Sequence, residues 1–199
     1  MSFLYFFSTM FSAIALENML FFRAADAPGI YDTIRSPRRI LALTAVVTAV
    51  CSVSAIPAYF VNGLIHPLPY FSYIAPLCFL LCNLLVYGAG YLILSKRFPA
   101  LLERLGGPDL PFSAVNCVTL GTLYLAATMS ESYLFSHFLG YCVGSGLGFG
   151  LALLLFWLLR QRITFSLVPR AFRGLPITMI YLGLVSLALY GLVGSQLPA

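Results

Sequence analysis

The sequence predicts an all-α integral membrane protein, six transmembrane helices in one membrane domain spanning residues 1–199. Three observations predict it. Of 199 residues, 61% are hydrophobic and only 9% are charged, with a mean hydropathy of +0.96; soluble domains run at about 45–50% apolar with roughly a quarter charged. Apolar runs of ~20 residues, enough to cross a hydrocarbon core ~30 Å thick, recur six times. All eleven Lys and Arg residues fall in alternate loops between those runs. A chain of this length has no aqueous fold that buries so much apolar surface.

The six runs are about 3–22, 40–62, 69–94, 110–129, 133–158 and 174–195. The first has no basic region before it and no small-residue cleavage site after it, so it is expected to stay in the mature chain. A basic loop, Arg23–Arg39, leads to the second run. The short Gly63–Leu68 leads to the third, and Ser95–Asp109 to the fourth. Ser130–Ser132 turns into the fifth, and Leu159–Arg173 precedes the sixth.

Arg23, Arg35, Arg38 and Arg39 occupy the first loop, Lys96, Arg97 and Arg104 the third, and Arg160, Arg162, Arg170 and Arg173 the fifth. The second and fourth loops and both termini hold none. Loops one, three and five share a side in a six-span chain, and dropping or adding a span would scramble the partition, so it also tests the span count. The positive-inside rule then places these loops in the cytoplasm and both termini outside. A net charge of +5 distributed in this way marks topology and not a nucleic-acid surface.

The chain also reads as two halves of three spans, about 1–97 and 98–199. Each half opens with an Asn in an apolar setting, Glu17-Asn18-Met19 and Val115-Asn116-Cys117. Three is an odd number, so the second half inserts upside down relative to the first, as in transporters built from inverted repeats. Asp26-Ala27-Pro28-Gly29 and Gly106-Gly107-Pro108 flank the first span of each half. They are either interhelical turns or signs that those helices are broken.

Few residues offer chemistry. Cys117, with Asn116 to orient it, can ligate a metal or simply pack as a small soft residue. Cys78 and Cys82 share a face at i,i+4 without a His or a further Cys pair, which favours packing. Glu17 and Asn18 are candidates for an ion path, because a carboxylate at membrane depth is costly. Alternatively Glu17 caps, snorkels or pairs with Arg23. Glu131 sits in a short loop, where solvation suffices. Gly140–Gly150 is glycine-rich, but no strand precedes it, so a dinucleotide-binding reading fails. Gly144 and Gly148 instead form a small-xxx-small pair for close helix approach. The loop-five arginines fix orientation or touch anionic lipid. All five cysteines lie in apolar runs, so no disulfide framework is expected. The chain has no nucleophile–base pair, zinc-protease motif, phosphate loop or four-cysteine motif, and nothing in it supports autonomous catalysis.

Three stretches carry a resemblance. They are Ser95-Lys96-Arg97-Phe98-Pro99-Ala100-Leu101-Leu102-Glu103-Arg104-Leu105-Gly106 followed by Leu110-Pro111 and Asn116-Cys117-Val118-Thr119-Leu120-Gly121; Arg160-Gln161-Arg162 with Val168-Pro169-Arg170-Ala171-Phe172-Arg173-Gly174; and Gly183-Leu184-Val185-Ser186-Leu187-Ala188. Together they resemble the small membrane subunits of the Rnf and Na⁺-translocating NADH:quinone reductase (Nqr) complexes, in particular the A-type members of the Rnf complex. The likeness covers the second half specifically and the first half through Asn18, Arg23 and the span layout. It implies two inverted three-helix repeats and an oppositely oriented homologous partner in the inner membrane. It also implies a [2Fe–2S] cluster shared with that partner, two cysteines from each chain, serving electron transfer coupled to Na⁺ or H⁺ movement. Cys117 matches the second family cysteine. The first aligns with Ala27, and a methyl group cannot replace a thiolate ligand. Asp26, one residue away, offers an oxygen that suits iron–sulfur chemistry poorly. The resemblance thus leaves two readings: a redox-coupled membrane component of a translocase, or a redox-silent scaffold that keeps the fold.

Overall fold

A computed structural model describes residues 2–15, 18–23, 37–67, 69–97, 99, 117–128, 134–164, 169, 172 and 175–193. Among these the chain is helical without strands: α1 (Ser2–Ala15), α2 (Met19–Arg23), α3 (Pro37–Ile65), α4 (Phe71–Arg97), α5 (Cys117–Thr128), α6 (Phe135–Thr164) and α7 (Leu175–Val193). Four stretches are long and apolar enough to cross a bilayer: Phe3–Phe21, Pro37–Ile65, Phe71–Arg97 and Phe135–Leu158. Cys117–Thr128 and Met179–Gly191 are shorter apolar helices within the fourth and sixth expected spans. Residues 110–116, the start of the fourth, lie outside the described residues.

Two boundaries differ from the sequence reading. α6 runs to Thr164, past the apolar run, and takes Arg160 and Arg162 into its last turns. Arg and Gln are good helix formers, and cations are favourable near a helix C-terminus. Helix propagation therefore continues where hydrophobicity stops. α3 starts at Pro37, whose missing N–H costs nothing at a first helical position. Arg38 and Arg39 open α3, and Lys96 and Arg97 close α4.

α6 is the central helix, packed chiefly against α1 and α3 and also against α5. Of its apolar window 67% is buried, against 11% for α4, which lies at the periphery. Glycines make this possible. On one face of α6, Gly140, Gly144 and Gly148 meet Phe6, Met10 and Ile14 of α1. On another, Gly146 and Gly150 meet Thr48 and Thr44 of α3. A Cβ at Gly146 would stand 2.7 Å from Thr48 Cα. The small-xxx-small pair expected at Gly144 and Gly148 is thus a true helix contact, and it extends to Gly140.

Hydroxyls within these apolar helices are satisfied locally. Thr44 donates to Ile40 O at 2.8 Å, Thr48 to Thr44 O at 2.7 Å and Ser52 to Thr48 O at 2.6 Å. Lipid offers no alternative partners.

Candidate functional site

The first apolar run is interrupted. α1 ends at Ala15, Asn18 is non-helical, and α2 begins at Met19. The described non-helical residue is the asparagine; the Asp26–Gly29 breaker lies outside the described residues. Asn18 is 1% exposed. Its Oδ1 accepts from Leu20 N at 3.0 Å, capping the start of α2. Its Nδ2 donates to Gly148 O on α6 at 2.7 Å and to Ile14 O at 3.3 Å. The amide therefore spends its hydrogen-bonding capacity on stitching both sides of the break to the central helix. Midway along α2, Ser186 of α7 donates to Phe21 O. Glu17, the expected companion of Asn18, lies outside the described residues.

The second expected site, Cys117, is the first residue of α5 and is exposed. Asn116 lies outside the described residues. α5 packs beside the break, since a Cβ on Gly121 of α5 would collide with the Met19 side chain. Cys78 and Cys82 lie half-buried on α4, and Cys51 and Cys142 are wholly buried.

Behind Cys117 lies a group of residues not singled out in the sequence. Ser54 of α3 donates to Asn83 Oδ1 of α4 at 3.2 Å. Asn83 Nδ2 donates in turn to Thr119 Oγ1 of α5 at 2.9 Å. One turn on, Thr122 Oγ1 lies 2.8 Å from Ser145 Oγ of α6 and 2.6 Å from Val118 O. A hydroxyl has a single proton, so Thr122 donates to Val118 and Ser145 donates to Thr122. Ser54, Asn83, Thr119, Thr122 and Ser145 are all 0% exposed. The signal for them was an amide inside an apolar run, at Asn83, which is costly in hydrocarbon unless paired. Its partners come from other helices and leave no local pattern.

All five cysteines and both histidines of the sequence fall among the described residues, and all six acidic residues fall outside them. Among the described residues, no three His, Cys, Asp or Glu side chains gather as a metal site. Cys117 is the one exposed thiol, while Cys51 and Cys142 are committed to the core. The donor set therefore does not fit a full half-share of a four-thiolate cluster. It supplies one surface thiol where two are needed, with an alanine at position 27.

The relatives agree in length. A protein of Pseudomonas paraeruginosa, named as the A component of an ion-translocating oxidoreductase complex, is 33% identical over 188 residues, 94% of this chain and 95% of the relative. Proteins of the same name from Vibrio vulnificus and Pasteurella multocida are each 34% identical, over 74% and 73% of this chain and 75% and 74% of their own. Residues 6–195 match the Rnf-Nqr subunit family of membrane proteins, and the chain belongs to that family.

Proposed function

We propose that this chain is a membrane subunit of an Rnf/Nqr-type complex that couples electron transfer across the membrane to Na⁺ or H⁺ movement. The observation that carries the proposal is end-to-end similarity to proteins named for that complex, 94% of one chain against 95% of the other. In this reading the protein spans the inner membrane of a prokaryote as two inverted three-helix repeats, with both termini outside. The pairing of short with long helices supports the repeats: α2 packs on α7 as α5 packs on α4, while α3 and α6 pack on each other. The exposed Cys117 end of α5 faces an oppositely oriented homologous subunit, and other subunits of the complex complete the assembly. Glu17 and Asn18 stand beside the candidate ion path. Asn18 holds the helix break in place, and Glu17 supplies the ionisable group.

A second reading rests on the donor set. With Ala27 where a ligand would stand, the chain serves the complex as a redox-silent member that keeps the fold without a [2Fe–2S] cluster. Iron separates the two. The complex is purified with its partner subunits, and iron, labile sulfide and the electron paramagnetic resonance signal are measured. A [2Fe–2S] signal lost in Cys117→Ser supports the electron-carrying reading. A cluster-free complex that still pumps ions supports the silent one. Failure of the chain to co-purify with any membrane partner would sink both. Reporter fusions at the C-terminus and in loop five must read opposite sides of the membrane.

A further inference from the structure

We propose that Asn83 is a positioning residue that pins the Cys117 end of α5 at the chain's surface. The described part of α5 has twelve residues. Among the described residues, the side-chain hydrogen bonds Thr119 with Asn83 and Thr122 with Ser145 tie α5 to other helices within its first six residues. Beyond them the buried side chains of α5 are the apolar Leu123, Ala126 and Ala127. The helix is thus bolted at its Cys117 end and only packed at the other.

Asn83 is the hub of that bolt. Its Oδ1 and Nδ2 reach partners on two different helices, Ser54 of α3 and Thr119 of α5. α4 buries just three side chains, Ala75, Phe79 and Asn83, spaced four residues apart in a single stripe. The peripheral helix therefore reaches the interior polar layer through this amide. Ser54 lies one turn from Cys51, whose thiol touches Thr122, so the layer closes back onto α5 through α3. Four helices converge on the first two turns of α5, and its exposed first residue inherits their rigidity. The inference rests on the reading that Cys117 marks the partner-facing end.

Thr119→Val is the sharpest test. It keeps the shape of the side chain but removes the acceptor, leaving an Asn83 N–H without this partner in an apolar interior. Thr119→Ser restores the acceptor. The full-length chain in membrane vesicles is labelled with N-ethylmaleimide, and the rate at Cys117 is followed by peptide mass spectrometry. Loss of one interhelical hydrogen bond of average strength in a membrane frees the helix end enough to change that rate about threefold. Thr119→Val and Asn83→Ala are expected to speed labelling by that factor or more, with Thr119→Ser at the wild-type rate. Wild-type rates in both Thr119→Val and Asn83→Ala would overturn the proposal. Equal acceleration in Thr119→Ser would also overturn it, because the effect would then follow shape and not the hydrogen bond. Assembly with partner subunits, read on native gels, is scored separately. Changed labelling with unchanged assembly leaves Asn83 as the pin and removes Cys117 from the interface.

Discussion

Gly144→Ala tests whether α6 sits where it does because glycines let α1 approach. A methyl group at position 144 would lie 2.9 Å from both Met10 Cα and Ala13 Cβ, and nearer still to the Met10 carbonyl oxygen. Carbon pairs rest at about 3.5–4.0 Å, so the two helices must separate by roughly half an ångström or more. Two of the three obstacles are backbone atoms, which no rotamer change can move. The same separation stretches the Asn18–Gly148 bond from 2.7 Å towards the outer limit of hydrogen bonding. Overpacking costs about 1–3 kcal/mol and the weakened bond about 0.6–1.7 kcal/mol. The higher helix propensity of Ala returns up to about 1 kcal/mol. The net expectation is a loss of about 1–3 kcal/mol. Trp157, the single tryptophan, lies on α6 and reports unfolding by fluorescence during titration of detergent micelles with dodecyl sulfate. Gly183→Ala is the matched control, since nothing lies within 4 Å of a Cβ there. Identical midpoints for wild type, Gly144→Ala and Gly183→Ala would refute the close-approach argument.

Two further substitutions and one labelling experiment probe the helix break and the core. Asn18→Ala removes both the cap on Leu20 and the bond to Gly148, and should cost about 1–2 kcal/mol in the same titration. Asn18→Asp keeps the cap acceptor but sets a carboxylate oxygen against the Gly148 carbonyl at 1% exposure, so it should be the more damaging of the two; the reverse order would contradict the assigned amide orientation. In mild detergent, maleimide should modify Cys117 fastest, Cys78 and Cys82 more slowly, and Cys51 and Cys142 only after unfolding. The gap for the buried pair should be about a hundredfold or more, the population ratio set by an opening free energy of a few kcal/mol. Modification of Cys142 in the folded chain would place it outside the core.

Much of this was legible in the chain, and what was not has a common cause. Asn18 stood out because each half opens with an Asn in an apolar setting, and the structure gives its amide bonds to Gly148 and Leu20. The Gly144–Gly148 pair was visible from spacing, but its partner was not, because one helix's small residues do not name the helix they admit. Cys78 and Cys82 both lie half-buried on α4. Ser54, Thr119, Thr122 and Ser145 went unnoticed. Each is unremarkable alone, since a hydroxyl in a membrane helix can bond its own backbone as Thr44 and Thr48 do.

By itself the sequence determined the solvent, the helical class and the gathering of the basic residues into alternate loops. These follow from composition, from backbone satisfaction in lipid and from the charge of each loop, all of which are local sums along the chain. It also determined that a thiol stands at 117 and none at 27. The tertiary structure alone decided which helix is central, that the first run breaks at Asn18, and that Asn83 ties α3 to α5. Those depend on which faces meet. In a bilayer hydrophobicity no longer distinguishes the inside of the protein from its outside, so only glycine clearances and interhelical hydrogen bonds select the pairing.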